Sequence, residues 1–395
     1  MDTKSLFRNY TFTGIFWAPY PEWKKIRTFA ISTLREEGMG KSIMEPKILD
    51  ELECYINHFI KPNLGEPLSL LSGLKLATNN LISQMVFGHR ATYDDADTKI
   101  VISAVSEILS LTGRLSFLTN MPCISWLIRS LENRNHHLMY NIITPIFSRY
   151  ISEHKTTLDS NHPRDVVDRF LMHSNSAKEE DKHCFTENNL IGFCSQLYSA
   201  GYESTANVLA WALLYICLHP EKQKRVQSEI DSAIGIDRCV TLKDRLMLPY
   251  TDAVLLETLR KANIAPIAAP HTLQKDLIID GKLVPAGADV LLNMTSVLYD
   301  ETVFEEPDEF KPERYLTGDI ALKKQRTIPF SMGRRMCAGE GLAKMEIFMF
   351  FVTFLQRYNI SLPKDSTVTD QPISNGQGNL PPPFQIIFTA REQIV

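Results

Sequence analysis

Pro329-Phe330-Ser331-Met332-Gly333-Arg334-Arg335-Met336-Cys337-Ala338-Gly339-Glu340, followed at once by the apolar run Leu342 to Leu355, is the stretch that decides how this chain reads. Phe330, Gly333, Arg335, Cys337 and Gly339 stand at alternating or near-alternating positions, on a loop that delivers one cysteine to the start of a helix. A thiolate that is to hold a metal needs its negative charge stabilised, or it protonates or oxidises. A helix start supplies backbone N–H groups and the positive end of the helix dipole. Gly333 and Gly339 let the backbone turn and come close to a bound group without a Cβ in the way. A lone cysteine in a glycine-rich turn is more often structural; the company Cys337 keeps is what argues for a ligand.

On these residues the loop resembles the haem-thiolate loop of the cytochrome P-450 monooxygenases. The resemblance makes Cys337 the axial ligand of the iron of a haem b, Phe330 a cover for its sulfur, and Arg335 a partner of a haem propionate. A thiolate ligand pushes electron density onto the iron and favours O–O cleavage, which an oxygenase requires.

Composition sets the outer bounds. With 395 residues, 44% of them hydrophobic, the chain can bury a large core. A net charge of −4 makes no case for nucleic acid as a partner. The seven cysteines (Cys54, Cys123, Cys184, Cys194, Cys217, Cys239 and Cys337) are odd in number, scattered and without a CxxC pair. That pattern argues for a reducing compartment and against a disulfide framework or zinc site. Met1-Asp2-Thr3-Lys4 lacks a basic-then-apolar signal pattern. The longest apolar runs, Val208 to Leu218 and Ile347 to Leu355, are too short to span a bilayer, so no transmembrane anchor is expected in the chain as given.

Upstream, Tyr20-Pro21-Glu22-Trp23-Lys24-Lys25-Ile26-Arg27-Thr28-Phe29 reads as a helix start, with Pro21 in the first turn and Trp23 and Arg27 on one face at i, i+4. Beside the cysteine loop it resembles the family's propionate-binding helix. Its continuation, Ser32 to Lys41, resembles the animal microsomal, family-two type. Residues 42–172 read as successive amphipathic helices with short polar joints such as Lys61 to Pro67. Phe117 to Ile128 is apolar; a core helix accounts for part of it, and the resemblance puts it in a region that caps the pocket and dips into the membrane. His136 and His137 have no ligand-spaced partners and are expected at the surface. Residues 173–185 read as an exposed polar joint.

A long helix is predicted from about Thr186, its N-cap, to Leu218, just before Pro220. In its middle is Ala200-Gly201-Tyr202-Glu203-Ser204-Thr205, where Ala200 and Gly201 are expected to leave room and the hydroxyl beside an acid can loosen the local hydrogen-bond ladder. It resembles the family's oxygen-binding groove, where acid and hydroxyl relay protons to bound dioxygen; the resemblance makes Glu203 and Ser204 catalytic. The family usually has Thr where this chain has Ser204. The hydroxyl survives, but the methyl that restricts its rotamer does not.

Glu257 and Arg260 share a helix face at i, i+3 and alone read as a solvated pair. With Phe310-Lys311-Pro312-Glu313-Arg314-Tyr315 they resemble the family's buried Glu–Arg–Arg network, which makes Arg314 the third member of a structural group. Residues 277–280, 281–287 and 289–292 read as short strands around turns. His271 matches a position that offers a side chain to a propionate, a surface histidine being the alternative. The tail, Asn375 to Phe384, resembles the family's terminal hairpin, whose tip touches substrate.

The motifs follow family order from Trp23 to the end. The implied fold is mainly α, the cytochrome P-450 fold: one haem domain over residues 1–395, a helical prism with small peripheral β-sheets, incomplete at its N-terminus. The resemblance implies a membrane anchor, a proline-rich hinge, early helices and most of the main sheet ahead of Trp23, and their absence leaves an open sheet edge. The implied reaction inserts one oxygen atom of O2 into a small lipophilic substrate of xenobiotic, steroid or fatty-acid type. Electrons come from NADPH through NADPH-cytochrome P-450 reductase, with cytochrome b5 as a further partner, at the cytosolic face of the endoplasmic reticulum membrane. Lys24, Lys25, Arg35 and Arg334 are a candidate docking face, a merely solvated face being the alternative. By carry-over Gln196, Ser199, Ala200, Ala265, Ala268, Ala269, Gln377 and Gly378 line a distal cavity, roomy and mostly apolar with two amides for orientation. Two other readings stand beside this one: a haem-poor, non-catalytic relative or binding protein, and a haem-thiolate isomerase, against which Glu203 and Ser204 speak.

Overall fold

The computed structural model describes residues 14–118, 134–135, 137–374 and 378–391. Residues 119–128 of the apolar capping stretch, His136 and Gln377 lie outside the described residues.

Helices carry most of the chain. The first are α1 (Gly14–Trp17), α2 (Glu22–Glu36) and α3 (Glu45–Tyr55). After the short strand β1 (Pro67–Leu68) come α4 (Leu71–Phe87), α5 (Ala96–Leu118), α6 (Thr144–Thr157) and α7 (Val166–Ser176). The axis of the fold is α8 (Glu187–Leu218), 32 residues and so about 48 Å long. The Thr186 hydroxyl caps it by accepting the Asn189 amide at 3.2 Å, and it gives way at His219 to α9 (Pro220–Ala233). Both ends lie where cap and proline predict them. α10 (Pro249–Ala262) follows, and further on α11 (Met294–Leu298), α12 (Ile320–Arg326) and α13 (Glu340–Arg357).

The sheets are small and antiparallel. β2 (His271–Thr272) pairs with β5 (Asp289–Val290), His271 opposite Val290. β3 (Leu277–Ile279) and β4 (Lys282–Val284) form a hairpin. β6 (Tyr358–Ser361), β7 (Ile373–Ser374), β8 (Asn379–Leu380) and β9 (Ile386–Ala390) complete the set, ordered β1–β9–β6 and β7–β8. The β3–β4 hairpin exposes Leu277, Ile278, Ile279 and Leu283, Ile278 to 70%.

One hydrophobic cluster runs from Ile15 to Phe388. α8 is buried on most sides, and α13 is buried continuously from Met345 to Gln356, as apolar runs on core helices require. Two expectations are corrected. The segment 173–185 is not wholly exposed: α7 runs on to Ser176, and Cys184 and Phe185 are buried. Phe185 sits edge-on to His173 at 4.3 Å and packs with Phe29 and Phe170, so one aromatic residue anchors the polar stretch. Nor does Gly201 leave room. A Cβ there would lie 2.8 Å from Ile82 Cγ1, so the glycine admits the close approach of α4.

Candidate active site

The cysteine loop is built by two backbone devices. Gly333 takes φ +79°, which turns the chain, and the Cys337 amide donates to the Phe330 carbonyl at 2.9 Å, which closes the loop. Cys337 keeps an exposed face, though protein atoms crowd its sulfur. Burial pushes the thiol up from its ordinary value. The Gly339 and Glu340 amides and the Arg27 charge pull it back, while the Glu340 charge adds to the rise. Those amides are the start of α13, the helix end at which a thiolate finds backbone N–H groups. A Cβ on Gly333 or Gly339 would meet nothing within 4 Å.

Around the loop gather the other expected cofactor residues. Trp23 is buried on α2, and the Arg335 guanidinium lies 3.8 Å from its ring centroid, that of Arg27 5.6 Å. Arg27 Nη2 donates to the Met336 carbonyl at 2.6 Å, which ties α2 to the residue before the cysteine. Among the described residues neither Arg27 nor Arg335 has a carboxylate within 4 Å. Burial lowers the pKa of Arg27, burial and then Arg27 lower that of Arg335, and burial and then Arg335 lower that of His271. Three cationic or potentially cationic groups thus crowd one another without an acid among them. Phe330 is half-buried against the core, with Lys344 Nζ 5.4 Å from its ring centroid.

On α8 the accessible positions form a stripe. Ala200 and Ser204 are exposed and Gln196 half-buried, at i, i+4 spacing on a helix whose flanks are closed. Ser204 Oγ donates to the Ala200 carbonyl at 2.9 Å. Gln196 Oε1 accepts the Phe16 amide at 2.7 Å and so fastens α1. Ser199 is half-buried, its hydroxyl donating to the Gln196 carbonyl at 3.3 Å. Glu203 points to another side: Lys75 Nζ lies 2.7 Å from its Oε1, and Ser106 Oγ donates to its Oε2 at 3.4 Å. After α10, Ala265 and Ala269 are exposed and Ala268 half-buried, its amide bound to the Leu292 carbonyl at 3.0 Å. Gly378 lies against the Ile264 carbonyl, where a Cβ would stand 2.3 Å away.

Glu257, Arg260 and Arg314 come together as a closed group. Arg260 donates to Glu257 at 2.8 and 2.9 Å, Arg314 Nε at 3.1 Å and the Lys311 amide at 3.0 Å. The remaining guanidinium N–H groups reach the carbonyls of Leu298, Pro307, Glu305 and Glu306.

Sequence reasoning missed Lys75, Ser106 and the Met336 carbonyl. Nothing near Lys75 marks it, because its partner lies on another helix. It also passed over the buried group His154, Asp165 and Asp168.

The residues present fit a flat, dianionic macrocycle: a thiol served by two amides, cations without acids, glycines with open space beside them, and an accessible stripe on the central helix. Comparison with known proteins points the same way. The family profile described as Cytochrome P450 matches residues 2–388. Cytochrome P450 2B9 of Mus musculus is 35% identical over 391 residues, covering 96% of this chain and 77% of that protein. Cytochrome P450 2C3 of Oryctolagus cuniculus is 36% identical over 385 residues, 95% of this chain and 77% of that protein. Cytochrome P450 2U1 of Rattus norvegicus is 35% identical over 393 residues, 96% and 72% respectively.

Proposed function

This chain belongs to the cytochrome P450 family, and from that premise we propose that it oxygenates small lipophilic molecules with Cys337 as the ligand of its haem iron. Membership makes it an oxidoreductase, a monooxygenase with a haem whose iron is bound by a cysteine thiolate. The bound haem supplies the activation of dioxygen, and the thiolate ligand favours O–O cleavage.

The protein's own residues do the rest. Cys337 holds the iron, its charge met by the amides of Gly339 and Glu340. Arg27, Arg335, Trp23 and His271 bind the propionates, whose two negative charges relieve the crowding of cations. Phe330 keeps water from the sulfur. Glu203 and Ser204 carry protons to the open stripe of α8. Ala200, Ala265, Ala268 and Ala269, with Gln196, Ser199, Gln377 and Gly378, border the substrate, a xenobiotic, steroid or fatty-acid type. Glu257, Arg260 and Arg314 hold the fold and do no chemistry. One haem domain spans the chain.

Electrons reach it from NADPH through NADPH-cytochrome P-450 reductase, with cytochrome b5 as a second donor, at the cytosolic face of the endoplasmic reticulum. Lys24 and Arg334 border an open cleft with Tyr20, Trp23, Arg27, Thr28 and Ile31 and, with exposed Arg35, suit an acidic partner. Lys25 is already paired with Asp181 and contributes less. No described helix is long and apolar enough to cross a membrane.

The observation that carries the reading is the pair Arg27 and Arg335 beside Cys337, the first half-buried and the second at the surface, with no carboxylate within 4 Å of either among the described residues. The test is the carbon-monoxide difference spectrum of the reduced protein. A thiolate-type Soret band is expected, lost in Cys337→Ala. Ser204→Ala should keep the band and release more reduced oxygen per product. A wild-type spectrum from Cys337→Ala, or no haem uptake by the wild type, overturns the assignment.

A further inference from the structure

We propose that Glu22, His183 and Cys184 form a site for one soft divalent cation, zinc or a metal of similar preference, at the seam where α2 begins and the chain enters α8. The site is separate from the cysteine loop, and nothing in it depends on the haem reading.

Cysteine sulfur, imidazole nitrogen and carboxylate oxygen are the three donor types that bind zinc. Here the histidine stands between the other two: His183 Nε2 lies 3.4 Å from Cys184 Sγ and 3.8 Å from Glu22 Oε1. Ligands of a tetrahedral zinc, with bonds of about 2.3 Å to sulfur and about 2.0–2.2 Å to nitrogen and oxygen, stand roughly 3.4–3.6 Å apart. Two edges of the site are therefore close to size. The third, from sulfur to carboxylate, is too long for a shared metal, and Glu22 has to turn to close it. Its side chain is 31% exposed and that of His183 59%, so both have room to move.

All three residues line one surface cleft of about 310 Å³, beside Pro19, Ile26 and Thr186. Glu22 Oε2 is shut off from solvent and meets no donor among the described residues, a loss that a bound cation makes good. The histidine–cysteine pair is held by its backbone: both residues close a 3-10 turn (Glu179–Cys184), and Asn189 Nδ2 donates to their carbonyls at 3.2 and 3.1 Å. The neighbouring cation, Lys25, is taken up by Asp181. Burial pushes the Cys184 thiol up from its ordinary value; Lys25 opposes this, and Glu22 and Asp181 add to it. The sulfur is thus no ready nucleophile, and the negative charges beside it favour a cation.

The buried group His154, Asp165 and Asp168 is a different case. Arg164 donates to both oxygens of Asp168, and Asp165 accepts from the Asp168 amide and stands 2.7 Å from His154, so its charges are met within the protein. At Cys184 they are not. Metal binding there releases the thiol proton to solvent, and nothing is oxidised or reduced. The bound cation ties the first residue of α2 to the approach to α8, and α2 carries Trp23 and Arg27 beside the cysteine loop.

The experiment adds zinc alone to the full chain, with Cys337 kept out of play by bound haem or, in haem-free protein, by Cys337→Ala. Calorimetric titration should find one site with a Kd of about 1 μM or below. X-ray absorption at the zinc edge, which does not see iron, should show one sulfur at about 2.3 Å among nitrogen and oxygen neighbours at about 2.0–2.2 Å. Zinc should also raise the melting temperature. Cys184→Ser should remove the sulfur and weaken binding roughly 100-fold, and Glu22→Gln should weaken it roughly tenfold. A zinc shell of nitrogen and oxygen only, a wild-type titration from Cys184→Ser, or binding at millimolar zinc alone overturns the proposal and leaves a thiol–imidazole hydrogen bond. Where Cys184→Ser folds poorly, His183→Asn, at an exposed ring, reads the same site. It should lose the same binding, and a wild-type titration from it overturns the proposal as well.

Discussion

Two groups of arginines in this molecule treat their charges in opposite ways. Behind the core, Arg260 and Arg314 are 0% and 4% exposed, and both donate to Glu257, itself 0% exposed, with backbone carbonyls taking the remaining N–H groups. Burial alone would lower the pKa of Arg260, but the Glu257 hydrogen bonds and charge outweigh it and raise it. Beside Cys337, Arg27 is half-buried and Arg335 lies at the surface; partial burial lowers the pKa of both, and the Arg27 charge lowers that of Arg335 further. A charge network complete within the protein holds the fold, whereas one short of anions is a site for something that brings them.

The largest effect should come from breaking the complete network. Glu257→Ala strands two guanidinium groups in the core, and removing one partner of a buried pair costs about 3–5 kcal/mol. Denaturant unfolding of the haem-free protein measures it. A loss below about 1 kcal/mol would mean that water or a rearranged carbonyl replaces the acid, and the contrast would fail.

The incomplete group should respond the other way. Arg27→Gln and Arg335→Gln are expected to leave haem-free stability within about 0.5 kcal/mol, because each removes a repulsion. Haem affinity should drop roughly 10- to 100-fold per residue, the worth of a hydrogen bond to a charged group. Haem titration followed by the Soret band separates the two. Unfolding on the scale of Glu257→Ala would place these arginines with the structural group.

A third group lets pH adjust the comparison. One ring nitrogen of His154 lies 2.7 Å from Asp165 Oδ2 and the other 2.6 Å from the Tyr150 carbonyl, so both nitrogens face acceptors and the protonated ring can donate to both. Burial opposes its charge, but the hydrogen bond and charge of Asp165 prevail and raise its pKa. Asp165 caps α7 through the Asp168 amide, and Arg164 is paired with Asp168. Because the folded pKa is the higher one, the stabilisation is complete below the unfolded value of about 6.5 and is lost as pH rises through the folded value. His154→Gln should therefore cost about 1–2 kcal/mol at pH 5 and progressively less in alkaline buffer. A pH-independent difference would show that the pair contributes by shape alone.

Local chemistry explains what could be read in advance. The limits of α8 follow from a cap at Thr186 and a proline at 220, and the turn before Cys337 from a glycine at 333. Each is a matter between residues a few positions apart. Phe185 escaped because one aromatic side chain in a polar stretch carries no periodicity, and only Phe29 and Phe170 reveal its purpose. The room expected at Gly201 was already taken, by an isoleucine of α4.

What this chain determines in one dimension is therefore its family, its cysteine loop, its helix ends and the residue types that meet the cofactor, since caps, turns and motif spacing act over short range. What only three dimensions decide is the pairing of charges: that Glu203 faces Lys75, that Lys25 is spent on Asp181, and that Arg27 and Arg335 meet no acid among the described residues. Coulomb energy depends on distance through space and on the water excluded around it, and neither leaves a trace in the order of residues.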